Sequence, residues 1–81
     1  MEIQFSKTAA KSLLRSDKRV LIRQKIDELA QGPLSLSANI VRLQGRSDYR
    51  LRVQNWRIIF RMDEATLWID DIAPRGAVYE E

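Results

Sequence analysis

The hydrophobic pattern of this chain changes period once, at Asn39, and that change limits the folds open to it. Ahead of Asn39 apolar residues recur at helical spacing. Beyond it they alternate with period 2, as half-buried strands do. Glu2-Ile3-Gln4-Phe5 is a short alternating opening strand with Ile3 and Phe5 on one side. Ser6 is a good N-cap for a helix through about Arg15, in which Ala9, Ala10, Leu13 and Leu14 share one side. Ser16 or Asp17 can cap a second helix, whose stripe is Ile22, Ile26, Leu29 and Ala30 and whose stop is Gly32-Pro33. Two short helices with so tight a link predict an antiparallel helical hairpin. Leu34–Asn39 reads as a loop. Strands are then predicted at Ile40–Leu43, Tyr49–Val53, Trp56–Met62 and Thr66–Ile72, the last bounded by Asp63-Glu64-Ala65 and Pro74. The expected fold is α+β: a small antiparallel sheet with an N-terminal strand and an α-helical hairpin on one face. On this reading Tyr49, Trp56, Phe60 and Trp68 pack in the core.

Composition removes most of ordinary enzymology. Eighty-one residues make one small domain, 1–81, shorter than the roughly 100–150 residues of a typical core. The chain is 44% apolar and 31% charged, with three Gly and two Pro, as expected of a folded rather than a disordered polypeptide. No stretch is apolar enough to span a membrane, and no basic segment followed by an apolar run marks a secretory signal. A cytoplasmic location is expected, and no membrane partner. With no Cys and no His, disulfides, thiolate or imidazole metal sites, Ser–His–Asp triads and His acid–base catalysis are all excluded. No metal and no cofactor is expected.

The charge is unevenly placed. From Arg42 to Arg61 six arginines (Arg42, Arg46, Arg50, Arg52, Arg57, Arg61) face Asp48 alone, a local charge of +5 in a chain whose net charge is +3. All four lysines (Lys7, Lys11, Lys18, Lys25) come earlier, and every later base is arginine. The planar guanidinium suits bidentate phosphate contacts and stacking on bases. Val53-Gln54-Asn55-Trp56 is the tightest link between two strongly alternating runs. A two-residue turn there pairs Val53 with Trp56, Arg52 with Arg57, Leu51 with Ile58, Arg50 with Ile59, Tyr49 with Phe60 and Asp48 with Arg61. Gln-Asn is a poor hairpin signal because Gly is missing where positive φ is wanted, a conformation Asn tolerates better than Gln. The register sends Arg50, Arg52, Arg57 and Arg61 out of the face opposite the core. Like charges directly opposed across strands cost roughly 0.2–1 kcal/mol. A sequence selected for stability alone avoids that arrangement, so the expected function is an anion site. Ile59, between Arg57 and Arg61, is expected exposed as an apolar element of the same surface.

Three blocks carry a family resemblance. The runs Leu43-Gln44-Gly45-Arg46-Ser47-Asp48-Tyr49-Arg50-Leu51-Arg52-Val53, Trp56-Arg57-Ile58-Ile59-Phe60 and Ala73-Pro74-Arg75-Gly76-Ala77-Val78-Tyr79 follow a strand and two helices. In that order they resemble the RelE/ParE toxin superfamily of type II toxin–antitoxin modules, over nearly the whole chain. The resemblance implies the β-α-α-β-β-β order of that family and, for its RelE branch, a metal-independent endoribonuclease that cuts mRNA in the ribosomal A site. Matched motif for motif, its site falls on Arg50 and Arg52 of the strand before the hairpin, Arg57 just after it, Arg75 and Tyr79. The other bases of the arginine cluster, Arg42, Arg46 and Arg61, are expected to bind RNA. Three departures stand out. The strand pair is Arg where Lys is common, Gln54-Asn55 replaces the usual turn Gly, and the Arg75-to-Tyr79 spacing is short. The chain stops two residues after Tyr79, so no C-terminal helix is expected over the site.

The implied reaction is attack of a ribose 2′-OH on its adjacent phosphate, giving a 2′,3′-cyclic phosphate and a 5′-OH. Charge builds on the phosphoryl oxygens in the transition state, where pre-placed cations act most strongly. Arg50, Arg52 and Arg57 suit that task. Arginine, with a pKa above about 12, is a poor general base. Tyr79 is the candidate base if neighbouring cations lower its pKa, or else it stacks on a nucleobase; Arg75 could steady the leaving oxygen. The implied partners are a cognate antitoxin, the ribosome and mRNA. The ParE branch offers the alternative: the same fold without the catalytic set, inhibiting DNA gyrase by binding it.

Overall fold

The structure, a computed structural model, describes residues 1–32, 39–42 and 48–75. The chain runs β1 (Glu2–Phe5), α1 (Lys7–Arg15), α2 (Arg19–Gln31), β2 (Ile40–Arg42), β3 (Tyr49–Val53), β4 (Trp56–Met62) and β5 (Thr66–Pro74). The five strands form one sheet in the order β1-β5-β4-β3-β2. From β2 to β5 every pairing is antiparallel. The N-terminal strand joins parallel at the far edge, Ile3 beside Leu67 and Phe5 beside Ile69, so the sheet is mixed. Four strands follow the helices, as the alternation predicts and one more than the β-α-α-β-β-β shorthand counts.

One sheet face carries the core. Leu51 and Val53 of β3, Ile58 and Phe60 of β4, and Leu67, Ile69 and Ile72 of β5 pack against Ala9 of α1 and Ile22, Ile26, Leu29 and Ala30 of α2. Tyr49 stacks on its cross-strand partner Phe60, with ring centroids 5.5 Å apart. The α2 stripe is the expected one. On α1 Ala9 is fully buried and Ala10 and Leu13 are half-buried, while Leu14 is 74% exposed. Residues i and i+1 on a helix are 100° apart, so a stripe at i, i+1, i+4, i+5 can bury either of two edges. Here the Ala9–Leu13 edge wins.

Ser6 joins three elements. Its hydroxyl caps α1 by accepting the Ala9 N–H (2.9 Å), and donates to the Asp70 carbonyl of β5 (2.8 Å). Its own N–H bonds to the Ile69 carbonyl at 2.9 Å. The second helix starts differently from expectation. Lys18 is its N-cap and makes no side-chain cap bond, while the Ser16 hydroxyl closes the interhelix link by accepting the Lys18 N–H at 3.0 Å. Ser16 lies in the three-residue link, 1% exposed, two residues too early to cap α2. The loop at 33–38 and Leu43 lie outside the described residues. Among the described residues no helix is long and apolar enough to cross a membrane.

The hairpin between β3 and β4 has the expected register: Val53 opposite Trp56, Arg52 opposite Arg57, Leu51 opposite Ile58, Arg50 opposite Ile59 and Tyr49 opposite Phe60. Its turn puts positive φ on Gln54 (53°), the less comfortable of the two central residues. The β4–β5 turn is built on Asp63, whose Oδ1 accepts the N–H groups of Ala65 and Thr66, both at 2.8 Å. Between β4 and β5 the register slips by one: Phe60 sits opposite Ile69, whereas the preceding Ile59 sits opposite Asp71. Asp70 is the extra residue of a β-bulge. A bulged residue loses its ladder partner, and the Ser6 hydroxyl supplies one for its carbonyl.

Two outcomes test this account. Gln54→Gly removes the side chain from a left-handed position, a conformation that costs a non-Gly residue roughly 1–2 kcal/mol, offset in part by Gly's unfolded-state entropy. A net stabilisation of up to about 1 kcal/mol is expected in denaturant titration, and a fall in the midpoint contradicts the turn assignment. Ser6→Ala loses a cap and orphans the bulge carbonyl, so a destabilisation of about 1–3 kcal/mol is expected; a neutral result removes Ser6 from that role.

Candidate functional site: the outer face of the sheet

Strand alternation sends Arg50 and Arg52 of β3 and Arg57, Ile59 and Arg61 of β4 to the face away from the helices, as the hairpin register requires. Arg52 and Arg57 are direct cross-strand partners next to the turn. Arg75 is tied to the same end of the sheet, its backbone N–H donating to the Asn55 carbonyl at 2.6 Å. Arg50, Arg52, Arg57 and Arg75 thus gather around one hairpin from three separate parts of the sequence.

Two expectations about this face need correcting. Arg57 is not exposed: 5% of its surface is accessible, and its Nη1 donates to the carbonyls of Gln54 (2.9 Å) and Trp56 (3.0 Å). The guanidinium folds back onto its own turn, where strand carbonyls next to a tight turn need donors. Ile59 is not an exposed apolar strip either. It is 0% exposed on the outer face, yet stands apart from the core cluster packed against the helices. Its cross-strand neighbours there are Arg50 and Asp71. The exposed apolar residue of this face is Val41 on edge strand β2, opposite Arg50 and 48% exposed.

Arg42 does not join the cluster. It pairs with Tyr49, whose ring packs on the core side, so Arg42 leaves the sheet on the helix-bearing face. Arg61 is on the outer face but engaged: its Nε and Nη2 grip both oxygens of Asp70 at 2.7 and 3.1 Å. That hydrogen-bonded carboxylate, with a smaller contribution from Asp48, raises the Arg61 pKa above its ordinary value. Arg61 also lies over the ring of Trp68, 5.2 Å from its centroid. Trp68 itself is therefore not a core residue. Leu67 and Ile69 take the inward positions, and Trp68 stands half-buried on the outer face between Arg61 and Gln4. Hydrophobicity suggested burial, but parity decided the face. Arg46 and Tyr79 lie outside the described residues. Among those described, no group of His, Cys, Asp or Glu is placed to hold a metal ion.

Sequence reasoning missed Asp71. Without the bulge it would share the inner face with Leu67 and Ile69. With it, Asp71 faces outward beside Ile59, its Oδ1 accepting the Ile72 N–H at 2.9 Å. Two consecutive acids between two apolar residues, Ile69-Asp70-Asp71-Ile72, were the available signal.

The fold recurs in solved structures. A chain of the archaeal RelE–RelB complex from Pyrococcus horikoshii superimposes with a TM-score of 0.77 over 95% of this chain and 97% of that one, at 21% identity. The fold belongs to the RelE toxin superfamily. YafQ from E. coli matches over 98% of both chains with a TM-score of 0.80 at 17% identity. The RelB–RelE antitoxin–toxin complex from Methanococcus jannaschii matches over 95% of both chains with a TM-score of 0.70 at 26% identity. The sequence matches no family model and no curated protein. RelE-like topology is thus held here by a sequence far from those relatives, which puts the weight on where individual side chains sit.

The site separates a structural arginine from a surface one. Arg57→Ala withdraws charged donors from the turn carbonyls and should destabilise the fold by about 1.5–3 kcal/mol. Arg52→Thr removes one side of a like-charge opposition from an exposed position, and stability should hold or rise by about 0.2–1 kcal/mol. Parallel denaturant titrations decide; equal losses for both variants contradict the different environments described.

Proposed function

We propose that this protein is the toxin of a type II toxin–antitoxin module and acts as a ribosome-dependent mRNA endoribonuclease. The observation that carries the reading is the gathering of Arg50, Arg52, Arg57 and Arg75 around the β3–β4 hairpin of a RelE fold. The matched structures named above are RelE and YafQ proteins, which favours the nuclease over gyrase inhibition.

In the proposed reaction the 2′-oxygen of one nucleotide attacks the phosphorus linking it to the next. The P–O5′ bond breaks, the 2′-hydroxyl proton leaves to a base, and the departing 5′-oxygen gains a proton. Arg50 and Arg52 stabilise the extra charge on the phosphoryl oxygens. Arg57, anchored to its turn, is a fixed cation behind them and needs no reorganisation as charge develops. Arg75 steadies the leaving oxygen, and Tyr79 serves as base or as a stacking surface for a base. A chain without His has weak acid–base chemistry near neutrality, so the reaction relies on the ribosome to hold the message in line for attack. Low activity on free RNA is the expected consequence.

The same reading requires a neutralising antitoxin. An acidic segment with an apolar anchor fits the outer face, its anchor meeting Val41 beside Arg50 and its carboxylates meeting Arg52 and Arg75. Such a complex should weaken with salt, because its ion pairs stay partly exposed.

Primer extension on a translated message after induction tests the activity. Cleavage within codons is expected, reduced on the order of 10²–10³-fold by Arg52→Ala, with a large loss for Tyr79→Phe as well. An intact message together with growth arrest and blocked supercoiling would replace this reading with gyrase inhibition.

A further inference from the structure

Beyond the arginine cluster, the outer face holds a second feature that the reaction does not use. At the β1 edge of the sheet a cleft of about 430 Å³ opens beside Trp68, bordered by Glu2, Gln4, Ser6, Arg61 and Asp70. Its volume is within the roughly 300–1,000 Å³ of small-ligand sites. A large aromatic on the solvent side of a sheet needs a reason, since Trp gains most from burial. The ring here is also supported. Arg61 lies over it at 5.2 Å, and Asp70, on the same face as Trp68 by strand alternation, holds that guanidinium with two hydrogen bonds. On the other side the cross-strand neighbour is Gln4, whose exposed amide has no hydrogen-bond partner among the described residues.

We propose that Trp68, supported by Arg61 and Asp70, is a stacking platform for a nucleobase of the bound transcript, on a nucleotide flanking the one that is cut. The inference rests on the nuclease reading and deepens it by adding a base subsite to a phosphate site. Three features select a base over a phosphate. Arg61, the nearest cation, is already matched by Asp70, so the cleft carries no spare positive charge for an anion. The ring presents a flat surface of the kind on which bases stack in single-stranded RNA recognition. The Gln4 amide at the rim offers both a donor and an acceptor, the pattern that pairs with an adenine edge. Arg57 and Arg61 are four residues apart on β4, on the order of 13 Å along the strand. The platform therefore lies beside the arginine cluster on one continuous face. It also gives Arg61 a part in RNA binding, as the support of a stacking ring.

The chain has two tryptophans, so Trp56→Phe leaves Trp68 as the single indole reporter. That protein is titrated with a short 2′-O-methyl oligoadenylate, which cannot undergo 2′-OH attack, and with an abasic oligomer of the same length. The expected result is quenching of Trp68 fluorescence by the oligoadenylate and none by the abasic chain. Loss of base stacking, in the abasic oligomer with unaltered protein or in Trp68→Ala, should weaken binding measured by anisotropy by about 5- to 100-fold. Trp68→Phe, keeping a smaller ring, should fall between. Quenching in the Trp56→Phe protein reads the Trp68 ring directly, so the test survives if Trp68→Ala fails to fold and separates this ring from stacking on Tyr79. Equal binding of the two oligomers, or binding without quenching, overturns the platform while message cleavage on ribosomes leaves the nuclease reading standing. Absence of any oligomer binding also overturns it, and cleavage on ribosomes then decides the nuclease reading separately.

Discussion

The two-residue turn between β3 and β4 is the constraint on which the rest of the outer face depends. It sets the register, and the register assigns every side chain of both strands to a face, because a slip of one residue exchanges the faces completely. The turn is not built from favourable residues. Gln54 carries the positive φ, and immediately beyond it Arg52 opposes Arg57. Both features work against the hairpin locally, and what holds it is elsewhere. Leu51, Val53, Ile58 and Phe60 bury fully or nearly so on the helix side, and a one-residue slip would expose all four. Arg57 adds a second restraint by bonding to the carbonyls of Gln54 and Trp56. The residue that creates the charge opposition also secures the turn that imposes it.

On β5 the same parity rule is broken deliberately. Ile69 and Ile72 are both buried, which regular alternation forbids, and one extra residue at Asp70 reconciles them. The result is two adjacent carboxylates on the outer face, next to the β4 arginines. Asp70 takes Arg61 and thereby leaves the positive character of the face concentrated toward the hairpin. Ser6 links this bulge to the start of α1, so the helix cap and the bulge carbonyl share one hydroxyl. Bulges recur beside functional sites because they re-aim side chains without disturbing the core. Here the bulge turns Asp71 outward beside Ile59, while Asp70, outward by alternation, holds Arg61.

What was legible in the sequence follows from these rules. Strict alternation over Tyr49–Val53 and Trp56–Met62 made the hairpin, its register and the outward direction of four arginines readable in advance. Alternation says which face a side chain leaves by, and nothing about what then covers it. Arg57 and Ile59 were accordingly placed on the right face and given the wrong exposure. Trp68 went wrong in the opposite way, because its hydrophobicity outweighed the parity of Leu67 and Ile69. Arg42 was counted with the cluster by sequence proximity, while pairing with Tyr49 sends it to the other face. A bulge has no residue signature strong enough to read in a single chain, so Asp71 could not be placed. On the helices, two adjacent stripes of equal spacing left the exposure of Leu14 undecided until tertiary packing chose between them.

Cations of two kinds are arranged on the two sides of this fold. Residues 7–25, mostly in the helices, hold four lysines and three arginines against Asp17, a local charge of +6. Most of these side chains are exposed, and the pairs Arg23–Asp27 and Lys25–Glu28 are surface contacts one helical turn apart. Such pairs contribute little to stability and hold little geometry. What exposed charge does supply is a long-range field that raises the local concentration of a polyanion and falls off with salt. The sheet arginines are the reverse: Arg57 and Arg61 are fixed by hydrogen bonds to a turn and to a bulge residue. Paired with Asp70, Arg61 adds little to that field, and a guanidinium held in place by hydrogen bonds is suited to orienting an anion already bound. On the proposed nuclease reading, a chain without His draws its chemistry from orientation, and Arg57, held by its turn, supplies a fixed cation for it on the outer face.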